Sequence, residues 1–161
     1  MTTYPRANPT DELMQEHQSV LRLLHEMNKV ITTAEPSNVP PWKAFLEKAL
    51  RYFSTEVASH FKKEEEALFP AMEKYIGRET GPIAVMRHEH QQHNSFLLQL
   101  EKAVEAGDLG GILEVWESFN PLLTMHIAKE DSVLFPMAER MLSESEKNEV
   151  AQKMECIKRA A

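Results

Sequence analysis

The sequence predicts an all-α fold: an up-down-up-down antiparallel four-helix bundle with a short C-terminal helical tail. Three observations carry this. Apolar residues recur at helical spacing through four long segments. Three short stretches rich in Gly, Pro, Asn and Ser punctuate them. Short connections between long amphipathic helices make sequence neighbours antiparallel. At 161 residues the chain suffices for one domain with a real core, with the bundle over about 10–142 and the tail over 143–161.

The first helix is expected to begin near Thr10, a capping residue, with Asp11 and Glu12 favourable to the positive end of the helix dipole. Its apolar stripe is Leu13, Val20, Leu21, Leu24, Met27, Val30 and Ile31, and the proline-rich stretch from Thr33 to Pro41 ends it. A second helix runs roughly from Trp42 to Tyr75 through Phe45, Leu46, Leu50, Phe53, Val57, Phe61 and Leu68. Gly77 to Pro82 breaks the chain, and Pro82 suits the first turn of a third helix reaching about Ala106. Ala106 to Gly111 is the last turn, and a fourth helix then reaches about Leu142. Pro121 predicts a break or kink in that helix, and Pro70 and Pro136 predict matching bends in helices two and four.

Those two prolines close a doubled phrase. His60 to Pro70 reads HFKKEEEALFP and His126 to Pro136 reads HIAKEDSVLFP. Each copy sets a His and a Glu four residues apart, about 400° around a helix, so both side chains leave one face. Helices one and three echo each other too, as Glu16-His17-Gln18 and Glu89-His90-Gln91. Each half of the chain therefore reads Glu-His-Gln, then His-x-x-x-Glu. Repeated about a pseudo-two-fold axis, this pattern gathers His17, His60, Glu64, His90, His126 and Glu130 inside the bundle. Neutral imidazole and carboxylate suit a transition metal, and di-iron and di-manganese bundles use such a set. A single His/Glu pair at this spacing is ordinarily a solvated surface pair; two aligned pairs, each with a Glu-His partner, favour metal. Manganese and iron share these ligands.

Other candidates carry less. His25 lies about 12 Å along the helix from His17, too far to share its metal, and reads as structural. His88 points about 200° away from His90, toward solvent. His93 is about 60° off the His90 direction and stays an open candidate, while Asn94 suits a hydrogen bond. Glu65 and Asp131, next to the motif glutamates, default to the helix flank. Phe69, Phe135 and the methionines read as core filler.

A formal charge of −7 and a pI near 5.5 argue against nucleic acid. No apolar run approaches the ~20 residues of a membrane span, and the N-terminus lacks the apolar stretch of a signal peptide. The lone Cys156 leaves no intramolecular disulfide, and a reducing, cytoplasmic compartment is expected.

These motifs resemble the hemerythrin-like (HHE cation-binding) family over nearly the whole chain. Glu-His-Gln-Ser-Val-Leu from Glu16 resembles its helix-one pattern, and His60, Phe61 and Glu64 its His-Phe-x-x-Glu. Gly-Pro-Ile…Glu-His, ending on His90, resembles its opening of helix three, and His126 to Pro136 its closing motif. The order His, HisxxxGlu, His, HisxxxGlu looks like the bacterial members. The invertebrate oxygen carriers place a second His where this chain has Asn94, and their final carboxylate where it has Asp131. Asp131 therefore competes with Glu130, which the internal repeat favours. The resemblance implies two iron ions (Fe2+/Fe3+) with an oxo, hydroxo or water bridge. It implies Glu64 and Glu130 as bridging ligands, His17 and His60 on one metal, and His90 and His126 on the other. The expected function is binding or sensing of O2, NO or peroxide. The same residues would serve a peroxide- or NO-removing enzyme, or an iron-sensing interaction module. Similarity to the iron–sulfur-cluster repair proteins is expected to be partial: they share the opening of helix three but usually carry an N-terminal Cys-containing segment, and nothing before Thr10 contains Cys, so the sequence does not support that activity.

Overall fold

The computed structural model describes residues 8–161. Residues 1–7, part of the N-terminal stretch read above for a signal peptide, lie outside the described residues. Among the described residues all regular structure is helical, arranged as five helices.

Helix α1 spans Pro9–Thr33. Its cap is Asn8 rather than Thr10: the Asn8 side chain accepts the Thr10 N–H, and Pro9 takes the first helical position, where its missing N–H costs nothing. The Thr10 hydroxyl is thereby released to donate to Glu139, 2.5 Å away. A single 3-10 turn, Pro36–Asn38, leads into helix α2 (39–76). Gly77 and Gly81, both at positive φ, bracket the turn to helix α3, Pro82–Glu105. Helix α4 (109–141) opens on Asp108, whose carboxylate accepts the Gly111 N–H at 3.0 Å. A Cβ at position 111 would collide with that carboxylate. Helix α5, Glu144–Ala160, begins with a complete capping box between Ser143 and Glu146.

Helices α2 and α4 are not uniform. In both, the turn starting at the repeated Glu widens to a π-helix, Glu64–Leu68 and Glu130–Leu134. The Phe69 N–H reaches back to the Glu64 carbonyl, and the Phe135 N–H to the Glu130 carbonyl. Pro70 and Pro136 explain the matched position: each lacks an N–H and crowds the carbonyl four residues before it, and a wider turn relieves both problems. A third π turn, Phe53–Val57, has no proline beside it. Pro121, by contrast, does not break α4, which stays α-helical over Leu109–Lys129. Its carbonyl partner four residues back, on Glu117, lies on the exposed face, where water can take the lost hydrogen bond.

The buried apolar residues form two separate blocks. One holds Val20, Leu24, Leu46, Phe53, Phe61, Leu97, Trp116, Phe119 and Ile127. The other holds Leu13, Leu68, Phe69, Met72, Ile83, Met86, Leu134 and Phe135. Every one of the first four helices passes from one block to the other through a buried polar level: Leu13–His17–Val20 on α1, Phe61–Glu64–Leu68 on α2, Met86–His90–Leu97 on α3, Ile127–Glu130–Leu134 on α4. The tail helix α5 adds Val150 and Met154 to the second block. Its first turn is tied to the end of α2 by Tyr75, whose hydroxyl donates to Glu146 at 2.8 Å.

Candidate metal centre

The polar level contains the repeat. His17, His60, Glu64 and Glu130 bring ligand atoms within 4.8 Å of one another, and Glu64, His90, His126 and Glu130 form a second such group. The two groups share both glutamates. All six side chains are buried, the two glutamates at 0% exposure. Each carboxylate spans two imidazoles. Glu64 Oε1 lies 3.0 Å from His60 Nε2 and Oε2 lies 3.1 Å from His90 Nε2. Glu130 Oε1 lies 3.2 Å from His126 Nε2 and Oε2 lies 3.1 Å from His17 Nε2. On α2 and α4 the i,i+4 spacing delivers one His and one Glu together; α1 and α3 deliver one His each.

The outward nitrogens are held in an equally regular way. His60 Nδ1 lies 3.1 Å from Glu16 and His126 Nδ1 lies 2.8 Å from Glu89. His90 Nδ1 is 2.8 Å from Glu65, and His17 Nδ1 is 2.7 Å from Asp131. A carboxylate only accepts, so each Nδ1 carries the hydrogen and each Nε2 turns a lone pair inward. Lys63 in turn pairs with Glu16 and Lys129 with Glu89. Phe69 and Phe135 stack on His90 and His17, with ring centroids 5.8 and 5.4 Å apart. The residues read as helix flank and core filler therefore orient the imidazoles. Their signal was in the repeat: an acid stands before His17 and His90, and another after Glu64 and Glu130.

Lone pairs so arranged require positive charge among them. His17 Nε2 and His60 Nε2 are only 3.0 Å apart. All four oxygens of Glu64 and Glu130, and Nε2 of His90 and His126, are buried without an aligned hydrogen-bond partner. In the metal-free protein protons fill the role. Burial opposes charge on His60, yet Glu64 and Glu16 outweigh it and push its pKa up to about 10. His126 likewise reaches about 10 against burial, through Glu130 and Glu89. Burial raises Glu64, but His60 and His90 hold it well below the usual carboxylate range. Imidazole nitrogens and carboxylate oxygens in this arrangement fit iron or manganese, which would displace those protons.

Comparison with known families settles the kinship. The family model described as the Hemerythrin HHE cation binding domain matches residues 8–138, with an overlapping match over 82–160. The chain belongs to the hemerythrin HHE family. Curated relatives include the "Iron-sulfur cluster repair protein YtfE" of Salmonella paratyphi B, Salmonella newport and Salmonella heidelberg. Each is 32% identical over 118 residues, covering 65% of this chain and 50% of the relative. The likeness thus reaches well beyond the opening of helix three, while the hemerythrin HHE chain spans about half the length of those relatives. No solved structure matches it.

The remaining histidines sort clearly. His88 and His25 are exposed, so His25 is not a packed structural residue. His93 is buried but belongs to neither ligand group. Its Nδ1 meets Asn94 Oδ1 at 3.2 Å. No described helix is long and apolar enough to cross a membrane.

Proposed function

We propose that this protein is a non-haem di-iron protein that binds or senses a small ligand, O2, NO or peroxide, between two metal positions in its core. One position takes His17 and His60, the other His90 and His126, with Glu64 and Glu130 bridging. The observation that carries the reading is the pair of fully buried glutamates, each placed between two imidazoles with both oxygens unsatisfied. Antiparallel pairs across the bundle support one domain of four up-down-up-down helices with α5 as a docked tail. The α1 cap Asn8 and residues 17 and 28 of α1 meet 139, 131 and 116 of α4, and residues 12 and 16 meet 63 and 60 of α2.

Bound iron would supply redox chemistry and open coordination positions for the small ligand. The chain's own residues do the rest. Glu16, Glu65, Glu89 and Asp131 keep the hydrogen on each Nδ1 and so present each Nε2 as a donor atom. Two carboxylate charges offset part of the charge of two cations. The apolar blocks on either side keep bulk water out. Metal analysis joined to optical spectra, reduced and then exposed to O2, NO or peroxide, tests the reading. About two irons per chain and a ligand-dependent near-ultraviolet band are expected; no metal, or a spectrum indifferent to all three ligands, refutes it. Catalytic loss of peroxide or NO, abolished in Glu64→Ala, would make the site an enzyme's.

The relatives named as iron–sulfur cluster repair proteins support a second reading, in which this chain contributes to such repair. Recovery of a damaged iron–sulfur enzyme on adding the iron-loaded protein, absent with the metal-free protein, would support it.

A further inference from the structure

The internal repeat has one buried polar departure that the ligand set does not use. Three residues after each Glu-His dipeptide the first half places Val20 and the second places His93. Both are buried, at 4% and 2% exposure. The residues around them keep the pseudo-two-fold pattern. Phe53 and Phe119 are equivalent, lie 5.3 Å apart, and sit 5.9 and 5.1 Å from His93. Phe61 is equivalent to Ile127, and its ring centroid lies 3.8 Å from that of His90, 4.9 Å from His93, 5.9 Å from His126 and 6.1 Å from His60. His93 is thus the polar residue in an apolar wall beside the His90/His126 position.

The hydrogen on His93 is located by its partner. Asn94 Oδ1 accepts, so Nδ1 donates, and Nε2 on the other edge of the ring presents a lone pair. That atom is buried with no partner. Burial pushes the group's pKa down to about 4, against the Asn94 bond, so it is neutral and cannot donate from Nε2. A purely structural residue here would follow Val20, since an unsatisfied buried acceptor is destabilising. Outside both ligand groups, a lone pair held in this way pairs with a hydrogen donor. O2 and NO have none to give; hydrogen peroxide has.

We propose that His93 is a positioning residue that accepts a hydrogen bond from a small O–H-bearing ligand, hydrogen peroxide, at the His90/His126 side of the site. This rests on the di-iron reading above. The test compares wild type with His93→Val, which copies the first half, and His93→Gln, which retains an acceptor. Iron stoichiometry should be unchanged in both. Titrated by its ligand-dependent absorption, His93→Val should bind hydrogen peroxide about tenfold more weakly, and His93→Gln within about threefold of wild type. NO affinity should stay within about twofold. Without metal, His93→Val should melt higher than wild type, because an orphaned acceptor is gone. Unaltered peroxide affinity in His93→Val, loss of iron from it, or a lower melting temperature without metal would overturn the inference alone. A wild type that takes up no iron, or ignores both ligands, would overturn the di-iron reading and this inference with it.

Discussion

Replacing Asp131 by Asn separates two readings of the last helix. In one, Glu130 is the ligand and Asp131 holds His17; in the other, Asp131 is the ligand, as in the oxygen carriers. The structure puts Asp131 Oδ1 2.7 Å from the outward nitrogen of His17, with its side chain 21% exposed. Asn keeps an acceptor there but removes its charge. A hydrogen bond to a charged group contributes about 1.5–3 kcal/mol and a neutral one about 0.5–1.5. Partial exposure screens some of the difference, leaving about 1 kcal/mol, or roughly fivefold in affinity. Asp131→Asn should therefore keep two metals per chain and weaken one of them modestly in a chelator competition. Glu65→Gln, its counterpart behind His90, should do the same. Glu130→Gln should cost more than ~100-fold, beyond what residues behind a ligand typically contribute, because its two oxygens face both groups. Loss of a whole metal equivalent in Asp131→Asn, or a smaller effect in Glu130→Gln, would refute this assignment.

Further outcomes concern the tail helix. Met154→Ala removes a side chain with 1% exposure from the second apolar block and should lower stability by about 2–4 kcal/mol in urea unfolding; a change under about 1 kcal/mol would mean α5 is not docked in solution. Ser143→Ala breaks the capping box and should cost about 1 kcal/mol, read as a lower melting temperature. The Ser143 backbone N–H and the Tyr75 hydroxyl hold Glu146 down, from an ordinary 4.5 to about 2. A depressed acid stabilises fully above its unfolded pKa, and the contribution fades as pH falls through the folded one. The stability gap between wild type and Glu146→Gln should thus be constant above about pH 5 and close toward pH 2.

Much of this was legible in the sequence because the chain repeats itself. One His/Glu pair says little, but two copies, each answered by Glu-His on the preceding helix, name six residues that the fold does bring together. The helices themselves followed from apolar period and punctuation, with ends displaced by a few residues where Asn8 out-competed Thr10 as a cap. Three things were hidden. Adjacent residues on an α-helix point about 100° apart, so Glu65 and Asp131 read as flank. They reach histidines only because neighbouring helices place His90 and His17 beside them. Proline forecast bends at Pro70 and Pro136 but not their form as widened turns. It also forecast a break at Pro121 that its place beside the exposed helix face at Glu117 makes unnecessary.

The division of the interior into two apolar blocks has a consequence for how metal arrives. Without metal the polar layer is held by buried imidazole–carboxylate pairs whose desolvation offsets much of their attraction, so it is a plane of weakness between the two apolar blocks. The block holding Phe69, Phe135 and α5 can loosen there while the Phe53–Phe119 block stays folded, as separate cooperative units do. Such opening would admit ions to a level that the closed fold seals from solvent. Amide exchange should accordingly be faster at the α5 end without metal and even out once metal is bound. The plane that weakens the empty protein would then be its loading door, shut by what comes in.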